Sequence, residues 1–316
     1  MAITESRGIS SDIYFKIQQS YIKIKNMKKI LLIINPEAYH IFRFSRNKSQ
    51  ILSILSQIGR VYIVETQKPG EAIEIAKSGV EDGFDLIISG GGDGTLNEVA
   101  NGTAYSGVPI GILPLGITNV FALEMGIPMN AIKAAEIINK GKVREIDLGF
   151  VNENRYFTMM LGAGLDGYTV HNLKHEFKKM FGKPSHVMVG FAKYPFYDPL
   201  PIEIEIDGEN KGIGYEVVIS NISYYGGKRK MAPYAKPDDG ELDIVIFRES
   251  GFFSDLKHFS GFLMGLHHKM GTVEFFRGIS VKLKGENVYF HVDSEPVGKL
   301  PVMVKCAPKA LKVIVP

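Results

Sequence analysis

Cysteine is almost absent. Cys306 is the only one in 316 residues, which excludes an intrachain disulfide and a multi-cysteine zinc site and fits a reducing compartment. The residue reads as a small buried hydrophobe. Long apolar runs are missing as well: no stretch approaches the roughly 18 consecutive apolar residues of a membrane span. The first residues also lack the basic-then-apolar order of a secretory signal. The expectation is a cytoplasmic protein whose contact with a membrane is peripheral. Net charge is small, since 37 Lys and Arg against 34 Asp and Glu leave +3, too little to argue for a nucleic-acid partner. No low-complexity tract or fixed repeat occurs. What remains is ordinary globular material, 45% hydrophobic and 22% charged, which excludes a disordered or collagen-like chain. The length exceeds the size at which one core usually stops growing, so two domains are expected.

Residues 1–26 are polar and irregular, with Ile13, Phe15 and Ile17 alternating, and read as an extension of unknown role. From Met27 the grammar is regular. Ile30 to Ile34 is apolar on both faces, as a strand covered on both sides must be, and Asn35-Pro36 stops it. Ile51, Leu52, Ile54, Leu55 and Ile58 recur at helical spacing before the short apolar run Val61 to Val64. The pattern then repeats: a helix near Glu71, a strand Asp85 to Ser89, a helix from Thr95, a strand Val108 to Leu113 and a helix from about Thr118. This predicts an α/β fold with a doubly wound parallel sheet over 27–147, binding ligands at the carboxyl ends of its strands. Beyond it, Tyr156 to Leu161, Ile202 to Ile206, Tyr215 to Ser220, Leu242 to Phe247, Val273 to Phe276, Val281 to Leu283 and Val288 to Val292 read as short strands. They predict a mostly antiparallel, β-rich, sandwich-like domain over 148–307, with 308–316 packing back on the first. Helical insertions are expected around His171 to Met180 and Phe252 to His268.

The strand Asp85 to Ser89 runs into Gly90-Gly91-Gly92-Asp93-Gly94-Thr95 and then the helical Leu96-Asn97-Glu98-Val99. Glycines let backbone approach phosphate oxygens, and a helix start offers unpaired amides at the positive end of its dipole. The turn reads as a polyphosphate cradle, with Thr95 and Glu98 expected to form a capping box. It is neither a dinucleotide fingerprint nor a Walker A loop, because the required spacing and Gly-Lys-Ser/Thr are missing.

The run Gly90 to Val99 resembles the nucleotide motif of the diacylglycerol kinase catalytic family, which includes bacterial lipid kinases and sphingosine kinases. Leu113-Pro114-Leu115-Gly116-Ile117-Thr118-Asn119 is similar to its second glycine turn and Ile146-Asp147-Leu148-Gly149 to the opening of its second domain. Tyr224-Tyr225-Gly226-Gly227, Met231-Ala232-Pro233, Asp238 to Asp243 and Asp293-Ser294-Glu295 follow in the family's order. The resemblance spans 28–316. It implies an ATP-dependent, magnesium-requiring kinase acting on a membrane lipid hydroxyl, diacylglycerol by default. Asn35, Thr66, Gly91, Gly92, Gly94, Thr95, Asn97, Gly116, Thr118 and Asn119 would surround the nucleotide. Asp93 and Asp147 would orient metal and phosphates, and Glu295 would act as general base. Asp239, with the carbonyls of Lys236 and Glu241, matches a structural magnesium site; the plainer reading is a solvated Asp-Gly turn. For Asp147 the plainer reading is a surface loop acid.

The match departs from the family at Glu37, where small residues are usual, at Ile117 and Val120 in the second turn, and at Ser294. Glu37, Ile117 and Val120 motivate a second reading, a lipid-binding or regulatory protein with weak or lost nucleotide use. A NAD kinase, which shares the Gly-Gly-Asp-Gly-Thr core, is a third. His171 and His175 lie four apart, but with Lys174, Lys178 and Lys179 around them they read as a basic face, not a metal site. The same lysines, Lys183 and Lys228-Arg229-Lys230 could meet an anionic membrane surface. Phe252, Leu256, Phe259, Leu263 and Leu266 form a stripe expected to be core. A homodimer is left open.

Overall fold

The computed structural model describes residues 28–172 and 197–316. The readings at Ile13, Phe15 and Ile17, and at Lys174, His175, Lys178, Lys179 and Lys183, lie outside the described residues.

The first half alternates strand and helix. Strands β1 (Lys28–Ile34), β2 (Gly59–Glu65), β3 (Leu86–Gly91) and β4 (Ile110–Pro114) pair in parallel, and helices α1 (Ile41–Leu55), α2 (Glu71–Glu81), α3 (Asp93–Thr103), α4 (Val120–Glu124) and α5 (Ala131–Lys140) follow or separate them. Residues Ile30 to Ile34 and all of β3 and β4 are buried, because helices cover both faces of the sheet. Asn130 starts α5 by accepting from the amides of Ile132 and Lys133.

The sheet does not end with β4. Its order is β2-β1-β3-β4-β18-β15-β8-β9, where β8 is Ile202–Ile206, β9 Glu209–Gly214, β15 Ser280–Lys284 and β18 Val302–Val315. The long β18 lies parallel to β4 at Val313–Ile110 and antiparallel to both β15 and β5 (Lys142–Val151), and β5 also pairs with β6 (Arg155–Phe157). The expected boundary at 147/148 therefore falls within β5. Residues 308–316 belong largely to the strand that ties the parallel strands to the antiparallel ones.

A second sheet, fully antiparallel, runs β14-β13-β10-β7-β16-β17. Its strands are β7 (Met160–Ala163), β10 (Glu216–Ser220), β13 (Leu242–Phe247), β14 (Val273–Gly278), β16 (Tyr289–Val292) and β17 (Glu295–Lys299). Between the sheets, alternate residues of β8, β15 and β18, such as Ile204, Leu283 and Val304, meet Leu161, Ile219, Ile244 and Phe290 in one apolar layer. This sandwich and the helix-covered parallel sheet are the mixed α/β architecture expected from the sequence. Cys306 lies in the sandwich layer, and burial pushes its thiol up to about 12.

Of the first insertion, the described part forms α6 (Leu165–Asn172), where His171 stacks on Tyr289. The second forms α7 (Phe252–Met264) and a 3-10 turn at His267–Lys269. Here the structure corrects the sequence reading. The stripe expected in the core is largely outside: Leu256, Leu263 and Leu266 are each at least 40% exposed. The helix instead buries His258, against Phe247 and Thr272, and Gly261, where a Cβ would run into the Met270 side chain. A small residue and a hydrogen-bonded imidazole suit close approach to the sheet edge, so the bulky stripe turns away from it.

Candidate functional site

Two glycine turns meet where β3 and β4 end. A Cβ on Gly92 would lie 3.3 Å from the Gly116 Cα, and one on Gly116 only 2.5 Å from the Gly92 Cα, so the backbones touch where any side chain would separate them. The amides of Leu115 and Gly116 donate to the Gly91 carbonyl at 2.8 and 3.2 Å. Asn119, held at φ 47°, closes the second turn on itself by accepting from the Gly116 amide and donating to the Gly116 carbonyl, both at 2.9 Å.

Asp93 joins the turns. Its carboxylate accepts from the Thr118 hydroxyl (3.1 Å) and from the amides of Val120 (3.0 Å) and Phe121 (3.1 Å) at the start of α4. Burial raises its pKa above the usual carboxylate range, and these donors only partly offset that. Both oxygens are met by protein donors, which makes Asp93 the clasp of the cradle instead of an open metal ligand. Asn35 donates to Thr95 Oγ1 at 3.2 Å, and its backbone amide to the Gly90 carbonyl at 2.9 Å. Thr66, buried at the end of β2, donates its amide to the Ile34 carbonyl.

The expected capping box does not form. The helix starts at Asp93, with Gly92 as an N-cap without a side-chain bond. Glu98 reaches the neighbouring helix start and accepts from the amides of Gly70 and Ala72 at 2.9 and 3.1 Å. It caps α2, not its own helix.

The opposite lip is the turn between β16 and β17. Asp293 and Ser294 both have positive φ, 46° and 64°. Asp293 is buried, and its carboxylate accepts from Asn97 Nδ2 (2.8 Å), the Thr158 amide and hydroxyl (2.9 Å each), and the amides of Met159 (3.0 Å) and Met160 (2.9 Å). Burial again outweighs the donors and raises its pKa. Asn97, expected at the nucleotide, thus bridges to the other layer and also donates to the Tyr156 carbonyl.

This turn aims Glu295 at the first lip. Its Oε1 is 3.8 Å from where a Gly94 Cβ would stand, and no other atom comes within 4 Å of that position outside the neighbouring backbone. The other oxygen pairs with Arg155, whose guanidinium also donates to Asn97 Oδ1 at 3.4 Å. Behind the turn, the Ser294 amide donates to His291 Nδ1, so His291 carries its proton on Nε2 and donates it to Asp166 at 2.7 Å; the Tyr225 hydroxyl donates to the same oxygen. Burial and the Asp166 charge push the Glu216 carboxyl well above its ordinary range.

Asp147 is neither a surface acid nor open to a metal. It is 1% exposed, and its oxygens accept from the amides of Gly240 and Lys309, both at 2.7 Å. It ties β5 to the 236–241 loop and to the irregular middle of β18. At the magnesium site implied at Asp239 and the carbonyls of Lys236 and Glu241, the Asp239 carboxylate is held by an arginine. Arg277 bonds Asp239 and reaches Glu241 at 2.9 Å, and its cross-strand neighbour is Asp243. The guanidinium supplies the positive charge a cation would bring to the Asp239 carboxylate. Burial raises Asp243 to about 6 against the pull of Arg277, with Asp239 and Glu241 adding to the rise.

The structure brings the two glycine turns and Glu295 together as neighbours, and adds Arg155, the hub role of Asp293 and the Asp166–His291 pair, which the sequence did not signal. Arg155 sits in an Asn-Glu-Asn-Arg turn that carries no local sign of a partner 140 residues away.

A glycine-lined cradle at the carboxyl ends of parallel strands is faced by a carboxylate from an antiparallel layer, where the two halves of one chain meet. The chain belongs to the diacylglycerol kinase family: the diacylglycerol kinase catalytic domain matches residues 29–151, and the YegS C-terminal NAD kinase beta sandwich-like domain matches 160–315. It is 31% identical over 281 residues to a diacylglycerol kinase of Bacillus subtilis, covering 87% of this chain and 92% of that one. A diacylglycerol kinase of Staphylococcus saprophyticus is 29% identical over 280 residues, covering 87% and 91%. A crystal structure of a candidate diacylglycerol kinase from Bacillus anthracis superposes with a TM-score of 0.77 at 25% identity, covering 92% of this chain and 96% of that one.

Proposed function

We propose that the protein is an ATP-dependent lipid kinase that transfers the γ-phosphate to the hydroxyl of a membrane lipid, diacylglycerol by default. The observation that carries the reading is Glu295 reaching the Gly94 turn from the other layer, its Oε1 3.8 Å from where a Gly94 Cβ would stand. In this reading the turns at Gly91 to Thr95 and Gly116 to Asn119 cradle the phosphates of ATP, whose accompanying magnesium supplies charge neutralisation. Glu295 accepts the proton of the lipid hydroxyl. The hydroxyl oxygen bonds to the γ-phosphorus as the bond to the β,γ-bridging oxygen breaks, and ADP leaves with that electron pair. Arg155 holds the carboxylate in place, and Asp293 fixes the turn that carries it.

Val120, a departure from the family pattern, does not count against nucleotide use, because its side chain packs in the core while its amide serves Asp93. The test is incubation with labelled ATP, magnesium and vesicles carrying diacylglycerol, monoacylglycerol, sphingoid bases or phosphatidylglycerol in turn, with soluble NAD alongside. Labelled phosphatidic acid is the expected product. Label in no lipid, where a relative labels one under the same conditions, overturns the reading; lipid binding without nucleotide binding then points to a regulatory module, and labelled NAD to a NAD kinase.

A further inference from the structure

The helix α7 carries its apolar side chains outward. Phe253 is 83% exposed and Met264 72%, with Leu256, Leu263 and Leu266 beside them. Contiguous apolar surface of this kind marks a site of interaction. It is joined to a basic hairpin formed by β11 (Tyr224–Tyr225) and β12 (Arg229–Lys230). Phe262 of α7 meets Tyr225 edge-on at 5.8 Å and His267 at the same distance, and His267 Nε2 donates to the Met231 carbonyl at 2.9 Å. Helix and hairpin therefore form one ledge. Lys228, Arg229 and Lys230 are exposed on the hairpin, and Lys257 and Lys269 on and after the helix. Of the nearby acids, Asp255 accepts from Ser250 and Gly251, Glu274 is paired with Arg248, and the exposed Glu249 accepts from Ser254 at 3.5 Å.

We infer that α7 and the β11–β12 hairpin are the surface on which the protein docks to an anionic bilayer. Phe253 and Met264 enter the boundary between headgroups and acyl chains, and the five basic side chains meet lipid phosphates. A second copy of the chain is a poorer occupant, because a two-fold contact through this face would set the same five cations against each other. The inference gains its purpose from the lipid-kinase reading above. The ledge is also fastened to the acceptor side of the cleft: Tyr225 bonds Asp166, which holds His291, which holds the Ser294 amide beside Glu295.

The experiment is flotation with vesicles of equal parts phosphatidylcholine and phosphatidylglycerol, against phosphatidylcholine alone, for wild type, Phe253→Ser with Met264→Ser, and Lys228→Gln with Arg229→Gln and Lys230→Gln. Wild type is expected on the anionic vesicles, more weakly as salt rises. The apolar pair should bind about tenfold more weakly or worse, and the triple variant on the order of 100-fold more weakly. Both should match wild type on a water-soluble short-chain diacylglycerol. Vesicle binding untouched by either set of substitutions overturns the inference, as does a concentration-dependent dimer that the apolar pair dissolves. If both variants lose the vesicles but no lipid is phosphorylated even by wild type, the docking surface stands and the kinase reading falls.

Discussion

On the glycine-turn side, Asp93 gives its carboxylate to Thr118, Val120 and Phe121, all 25 to 28 residues away in the same layer. On the side of the β16–β17 turn, Asp293 collects Thr158, Met159 and Met160 from 133 to 135 residues away, and Asn97 from 196. Each lip is thus a strained turn pinned by one buried aspartate, yet the first is stitched from a single stretch of chain and the second exists only once the two layers have met. Glu295 differs from both aspartates. It has a guanidinium partner instead of a ring of amides, and its side chain is 41% exposed. The buried carboxylates hold geometry, and the one left accessible is the one that the proposed function assigns to proton transfer.

The sharpest way to test this division is Glu295→Gln. Removing a general base typically lowers turnover about 100- to 10,000-fold. The expected result is a loss of that order in kcat, with ATP affinity by calorimetry and the unfolding midpoint both near wild type. Near wild-type turnover would return Glu295 to a simple surface acid. Asp293→Ala should act through the fold instead. It strands several buried donors, each costing about 1–3 kcal/mol when left unpaired, and because such losses do not add, a net destabilisation of about 3 kcal/mol is expected in denaturant unfolding. An unchanged midpoint would mean that the acceptor lip does not hang on Asp293. Gly116→Ala is the smallest and most local. Its Cβ would press on the Gly92 Cα, where only backbone can give way, at about 1–3 kcal/mol of overpacking. The change should appear as weaker ATP binding, and full affinity would show that the two turns need not touch.

What the sequence made legible follows the same line. The strands β8 and β13 could be read to the residue because their patterns are local: Ile202 to Ile206 alternates, and Leu242 to Phe247 is flanked by turn residues. The glycine turns could be read because close backbone approach admits little else. Strands β5 and β18 escaped notice, since Lys142, Arg144 and Glu145 in one and Lys305, Pro308, Lys309 and Lys312 in the other break the apolar pattern; these strands are defined by each other. The apolar period of α7 was read correctly, but period reports which residues share a face and not whether a neighbour covers it. Arg155, the Asp166–His291 pair and the change of partner at Glu98 are long-range pairings, for which no local spacing rule exists. The Arg277 partner of Asp239, 38 residues away, is another such pairing.

The strand β18 gives the molecule a particular assembly problem. Val313 lies beside Ile110, 203 positions earlier in the chain, so β4 is an interior strand only after a very long loop has closed. Without β18, the apolar edge of β4 would stand open as a template for pairing with other chains. Contacts of such sequence separation slow folding and postpone its reward. The parallel sheet is therefore not a free-standing unit to which a sandwich has been appended. The chain should melt as one cooperative block, and a fragment carrying only the glycine-turn half should be prone to aggregate.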